Sequence, residues 1–223
     1  DYGNSNYGTA IVGTVSGTSI SYGTAALFGG STATTFLSAT YDSTNERVVV
    51  AYNDNGNSNY GTASVGTVSG TDITFGTPVV FESAQTNFTG ATYDSTNGKV
   101  VIAYCDNGNN DYGTAVVGTV SGTSISFGTP VVFESGESTY ISATYDSTNE
   151  KVVLAYRDGD NSNYGTVIVG TVSGTSISFG SPVLFNSGNS YYTSSAYDST
   201  NGKTVIAYTD GGNSYYGTAV VFA

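Results

Sequence analysis

Residues 93–104 read Tyr-Asp-Ser-Thr-Asn-Gly-Lys-Val-Val-Ile-Ala-Tyr, and the same opening, Tyr-Asp-Ser-Thr, stands at Tyr41, Tyr145 and Tyr197, 52 residues apart each time. The stretches 93–144 and 145–196 agree at 35 of their 52 positions. The first, partial unit carries one extra residue, within 29–35. Self-similarity at a fixed period means that one supersecondary unit is copied along the chain. Each copy then needs its neighbours to bury its apolar surface.

One unit, 88–133, carries four short runs dominated by Val, Ile, Thr, Tyr, Gly and Ser, a strand-and-turn vocabulary with no helical stretch. The expected strands are 88–94, 99–106, 112–120 and 124–133. In the second, Val100, Ile102 and Tyr104 alternate with Val101, Ala103 and Cys105, so both faces are apolar, as in a strand sandwiched between sheets. In the fourth, Ile125, Phe127, Val131 and Phe133 share a face. Residues 94–98 and Ser121-Gly122 are tight-turn signals, and 106–111 is a polar loop of hairpin length. The link 134–139, where the units differ most, is the expected crossover. Pro78, Pro130 and Pro182 share one slot in successive fourth strands. Proline cannot donate to a ladder, so the fourth strand belongs at an edge and the small-residue first strand innermost.

A repeat of this length with four strands is that of a propeller blade. Over its full length the chain resembles β-propeller proteins, in the manner of kelch-like or tachylectin-like repeats. The resemblance is architectural. The kelch pair of glycines and the WD dipeptide are absent, so it implies a fold and no inherited activity. The expectation is one all-β domain over 1–223, a β-propeller of about four four-stranded blades. Its units fall at about 36–87, 88–139 and 140–191, with 192–223 closing with 1–28. The phase leaves a remainder: a third strand opens the chain at 6–15 and another ends it at 215–222, one more than closure uses. That surplus strand is expected to lie over an edge, to swap into another molecule, or to mark a slice of a longer array. A chain that starts at Asp1 and holds no Met reads as a processed product or a fragment.

The composition closes off several chemistries. Seventeen acidic residues against five basic ones give a net charge of -12, the wrong sign for nucleic acid or an anionic membrane surface. His, Met and Trp are absent and Cys105 is the single cysteine, which excludes an intrachain disulfide, a Cys/His zinc site and a histidine triad. No apolar run reaches the roughly 20 residues of a membrane span. Near-identical units also argue against catalysis, which needs different groups converging at one point. No enzyme is expected; a glycosidase working through carboxylates alone is the remaining catalytic alternative.

The polar loop repeats as Asp-x-Gly-Asn-x-x-Tyr-Gly, or nearly so, from Asp1, Asp54, Asp106, Asp158 and Asp210, with Asp160 replacing the glycine in the fourth copy. Hydrogen-bonding oxygens followed by a flat ring suit a sugar's hydroxyls and C–H faces. The candidate ligand-binding residues are therefore Asp54, Asn57 and Tyr60; Asp106, Asn109 and Tyr112; Asp158, Asn161 and Tyr164; and Asp210, Asn213 and Tyr216. The same residue types also simply build hairpin turns. Calcium is an alternative at 106–111 and 158–161, which place hard oxygens close together but lack the acidic twelfth position of an EF-hand. No other cofactor or metal is expected. Asp42, Asp94, Asp146 and Asp198 are read as acceptors for N–H groups of their own turns. Arg47, Lys99, Lys151 and Lys203, just past those turns, are read as charge partners across each hairpin. Cys105 shares its slot with Asn53, Arg157 and Thr209 and is read as drift. Asn87-Phe88-Thr89 matches the glycosylation acceptor pattern, which has meaning in a eukaryotic host.

The expected function is non-enzymatic recognition: a lectin-like, multivalent carbohydrate-binding or adhesion module of an extracellular, cell-surface or virion protein. Its partners would be glycans or cell-surface components, not nucleic acid, with no membrane insertion. The alternative is a structural repeat protein that forms homo-oligomers or fibres by exchanging the surplus terminal strand.

Overall fold

A computed structural model describes residue 3 and residues 5–222; Asp1, which opens the first polar loop, lies outside the described residues. The repeat becomes a repeated antiparallel sheet. Lys99–Asp106 pairs on one side with the end of Val79–Asp94 and on the other with Tyr112–Ser121. Tyr112–Ser121 pairs in turn with Ser124–Phe127 and with the start of Val131–Asp146. The same order is built around Arg47–Asp54 and Lys151–Asp158 and, without a fourth strand among the described residues, around Lys203–Asp210.

Two details depart from expectation. The link 134–139 is not a loop: Val79–Asp94, Val131–Asp146 and Val183–Asp198 each run unbroken from the outer edge of one sheet to the inner position of the next. Val131 and Val132 pair with Ala115 and Thr114, while Ser138–Asp146 pairs with Lys151–Asp158, and register shifts absorb the change of partner. An extended crossover keeps its backbone groups paired on one side or the other. The fourth strand is also broken. Gly128 N–H donates to Val117 O at 2.9 Å, Pro130 has no N–H to give, and pairing resumes at Val131. As expected for a proline-bearing edge, these outer segments pair only with the third strand of their own sheet.

The sheets stack face to face in the propeller manner. Val101, Ala103 and Val117 of one sheet meet Leu154, Ile168 and Ile177 of the next. Val49, Ala51 and Val65 meet Val100, Ile102 and Ile125 in the preceding gap. Val100 through Tyr104 are all 0% exposed, which is why that strand shows no polar alternation. Each Val or Ile side chain in it contributes about 1.5–3 kcal/mol on burial.

The turn between first and second strands is a fixed device. Asp94 Oδ1 accepts from the N–H groups of Thr96 (3.0 Å) and Asn97 (2.9 Å), and Oδ2 accepts from Asn97 Nδ2 (2.8 Å). Asp42, Asp146 and Asp198 repeat the pattern. The tyrosine before Asp94, Asp146 and Asp198 reaches back one sheet: Tyr93 Oη donates to Thr44 Oγ1 (2.6 Å), Tyr145 to Thr96 (2.7 Å), and Tyr197 to Thr148. The charge-pair reading of the basic residues is corrected. Lys99 Nζ donates to Thr119 Oγ1 (2.9 Å) and Arg47 Nε to Gly122 O (3.0 Å), because the aspartates are already engaged by their own turns. The one ion pair among the described residues is Arg157 with Glu137, at 3.9 Å.

The N-terminal segment forms short pieces rather than full strands. Thr9–Ala10 pairs with Ala26–Leu27, and Gly13–Ser16 with Ser19–Tyr22. Tyr216–Phe222 pairs with Lys203–Asp210 over seven positions. No ladder joins 9–27 to 183–222 among the described residues.

Candidate functional site

The start of each inner strand lies beside a polar loop, as Asn87 Nδ2 donating to Asn107 Oδ1 (2.8 Å) shows. There the strand slips register, between Thr35 and Ser38, Thr139 and Ser142, and Tyr191 and Ser194, and likewise around Phe88. Within the slip stand Phe36, Phe88, Tyr140 and Tyr192, at φ 51, 51, 51 and 52°. This left-handed backbone costs a residue with a Cβ about 1–2 kcal/mol. Ring contacts offset the cost, since the four aromatics form a ladder with centroid separations of 4.9, 5.0 and 4.9 Å.

At the Tyr192 end three residues differ from every counterpart in the other units. Tyr191 fills the slot of Thr35, Asn87 and Thr139. Tyr215 replaces Asn59, Asp111 and Asn163, and Arg157 replaces Asn53, Cys105 and Thr209. These three meet. The Arg157 guanidinium lies 5.2 Å from the Tyr140 ring centre and 5.3 Å from that of Tyr191, in cation–π range. The Tyr191 ring is 6.0 Å from Tyr215 and 5.7 Å from Tyr140. Arg157 Nε is buried with no hydrogen-bond partner among the described residues. Tyr192 and Tyr215 remain 71% and 65% exposed, two large rings held in water. Burial first, and then the neighbouring Tyr192, push the Tyr140 hydroxyl up. In the same slot Asn53 Nδ2 merely donates to Thr86 O (2.7 Å), a structural contact.

The loop residues picked out by sequence divide by role. The aspartates turn inward. Asp54 Oδ1 accepts from Gly56 N–H and Thr32 Oγ1 (both 3.0 Å), Asp106 from Gly108 N–H (2.9 Å), and Asp158 from Asn161 N–H (3.1 Å). Asp210 accepts from Gly212 N–H (2.9 Å) and Asn186 Nδ2 (3.1 Å). Asp54, Asp106 and Asp210 cap the one-turn 3-10 helices Asn55–Asn57, Asn107–Asn109 and Gly211–Asn213; the Asp158 copy forms a plain turn. Asn57, Asn161 and Asn213 are exposed and Asn109 is half-buried. Tyr60, Tyr112 and Tyr164 are half-buried, while Tyr216 is 65% exposed. Only the last loop therefore sets its tyrosine in water, next in sequence to Tyr215.

Other reactive-looking groups are enclosed. Tyr104 Oη donates to Glu82 (3.1 Å) and Tyr156 Oη to Glu134 (3.0 Å), but both tyrosines are 0% exposed. Burial, then the adjacent carboxylates, drive both phenols far up, the reverse of what a phenolate nucleophile requires. Burial likewise pushes the Cys105 thiol up to about 12, away from thiolate chemistry. No group of three metal-ligating side chains is assembled among the described residues.

No family model and no curated protein matches the chain. Among solved structures it is similar to a Hadza microbial sialidase, Hz136, with a TM-score of 0.53 and 10% identity over 84% of this chain and 43% of that one. It is also similar to a chain of a nidogen/laminin complex, with a TM-score of 0.51 and 12% identity over 96% of this chain and 74% of the other. The chain thus spans less than half the length of the sialidase. At such identities the likeness speaks for architecture alone, and the architecture is all-β and propeller-like.

Proposed function

We propose that the protein is a non-enzymatic recognition module, a propeller of about four blades that binds carbohydrate at an extracellular, cell or virion surface. The observation that carries this reading is the meeting of Arg157, Tyr191 and Tyr215, none of them shared with its counterparts in the other units, beside the exposed ring of Tyr192. Copying maintains a scaffold. A binding site laid over it shows as coincident exceptions. Exposed phenol rings offer apolar faces to pyranose C–H groups, while Arg157 and the exposed Asn213 offer donors to hydroxyls. The exposed Asn57 and Asn161, with the half-buried Asn109, would add weaker contacts whose number supplies avidity. The enclosed Tyr–Glu pairs and turn-bound aspartates favour recognition over turnover. In titration calorimetry with neutral oligosaccharides chosen by glycan array, Tyr192→Ala and Tyr215→Ala are each expected to weaken binding about tenfold, or ~1.4 kcal/mol. The titration should run alike in calcium and in EDTA. Binding that survives both substitutions overturns the reading.

A further inference from the structure

The gaps between sheets share one closing device. At the turn between third and fourth strands, Thr71, Thr123 and Thr175 press their carbonyl oxygens against Gly23, Gly76 and Gly128 of the preceding sheet, so tightly that a Cβ there would overlap them. Beside each threonine, Ile73, Ile125 and Ile177 are buried at 7, 3 and 3% exposure. They cover the preceding sheet, where Val65 and Val117 are each 1% exposed.

One socket of this kind lies open. Gly180, next in the series after Gly128, has only Val169 O near its Cβ position, at 3.8 Å. Val169, the counterpart of Val117, is 44% exposed, and Val183 is 55% exposed. Together with Val153, Val167 and Phe222 they line a cavity of about 330 Å³. One plug also lies open. Residues 13–22 read Gly-Thr-Val-Ser-Gly-Thr-Ser-Ile-Ser-Tyr and match 118–127 and 170–179 at nine of ten positions. Gly13–Ser16 and Ser19–Tyr22 form the same hairpin as those segments, in the same register. Yet Val15 and Ile20 are 71% and 51% exposed, where Val120 and Ile125 are buried. Plug and socket stand at opposite ends of the row of sheets.

We infer that the Gly180 socket takes the hairpin Gly13–Tyr22 of a second copy of this chain. The contact is head-to-tail: Thr18 seats on Gly180, and Ile20 and Val15 cover Val169 and Val183. Such a heterologous interface leaves a free plug and a free socket, so it propagates. Gly13 is the counterpart of Phe222, so the hairpin arrives as a continuation of Tyr216–Phe222. Residues 7–12 repeat 216–221 and compete for the same ladder. Residues 6–12 are held by the two paired positions of Thr9–Ala10, the Tyr7–Ala33 bridge and three further backbone bonds, whereas Tyr216–Phe222 lies in a continuous ladder of seven, so the N-terminal segment is the one that gives way. This association is independent of carbohydrate binding.

Sedimentation velocity of the intact chain over a hundredfold concentration range tests it. The expected result is mass rising with concentration beyond a dimer. Gly180→Leu, which fills the socket, and Ile20→Asp, which spoils the plug, should each sediment as single chains. An equimolar mixture of the two variants should give one dimer and stop there, because each supplies the half the other lacks. Circular dichroism checks that both variants keep the wild-type fold; Gly180 has a single atom near its Cβ position and Ile20 is half exposed in the isolated chain. A single-chain mass at every concentration overturns the inference, including the case in which Gly180→Leu lowers the melting temperature because the chain's own hairpin fills the socket. Association that persists in both variants overturns it equally.

Discussion

The two faces of the stack are made by the same repeat and have been used differently. On the turn face the units repeat one set of bonds: each aspartate to its own turn and, from the second unit on, tyrosine back to the threonine of the sheet before. On the loop face the backbone also repeats, down to the left-handed φ at Phe36, Phe88, Tyr140 and Tyr192, but the side chains around it change. The slot that holds Asn53 and Cys105 in two units holds Arg157 in the third. Uniformity marks what the fold needs from each copy. Variation on a fixed backbone marks where copies are free to acquire a ligand.

The largest effect that would sharpen this contrast lies on the turn face. Asp94→Ala leaves the Thr96 and Asn97 N–H groups and the Asn97 amide without their acceptor in a residue 1% exposed. The expected loss is about 2 kcal/mol, which in a domain of this size lowers the melting temperature by roughly 4–8 °C. Oligosaccharide affinity should be unchanged below the transition, as calorimetric scans paired with titrations would show. Arg157→Asn, which installs the residue of the first unit, should do the opposite. It should cost stability less than about 1 kcal/mol while weakening sugar binding about tenfold. A melting loss as large as that of Asp94→Ala, with binding intact, would return Arg157 to the structural side and break the comparison.

Most of the scaffold was legible in the chain because it is written several times over. The doubly apolar run Val100–Cys105 announces a sandwiched strand, and Pro130 announces an edge. The extended crossover through 134–139 was not legible, since polar residues between two partners look like a loop until both partners are placed. The site was legible only as a neighbourhood. Asp-x-Gly-Asn marked the polar loops, but Asp54, Asp106 and Asp210 are spent on capping their one-turn helices, a use that composition cannot separate from ligand binding. Tyr191, Tyr215 and Arg157 are 58 residues apart from first to last, and nothing local unites them. A signal existed, though an uneven one: Tyr191 and Tyr215 bring rings to columns that otherwise hold Thr, Asn and Asp, whereas the Arg157 column differs in every unit. It acquires meaning only when the three columns prove to be adjacent in space.

The faces should also separate by the sign of their pH dependence, the smallest effect expected. Glu134, beside Tyr156 near the loop face, has its carboxyl raised above the ordinary 4.5 by burial, with the Tyr156 hydrogen bond opposing. The folded state then holds more protons than the unfolded one from the ordinary glutamate value up to the raised one. Stability therefore falls as pH rises through that window. Asp198, on the turn face, is held below the ordinary 3.8, first by the Asn201 side chain and then by its N–H. Its contribution is present above 3.8 and is lost as pH falls through the lowered value. Glu134→Gln should accordingly raise the urea midpoint at about pH 7 and lose that advantage toward pH 4, where the wild-type carboxyl is itself neutral. Asp198→Asn should lower the midpoint at about pH 7, with the deficit closing toward pH 2. If both differences carry the same sign at neutral pH, the two faces do not store their carboxylates in opposite ways. The division between a bonded turn face and a desolvated loop face would then hold for geometry without holding for charge.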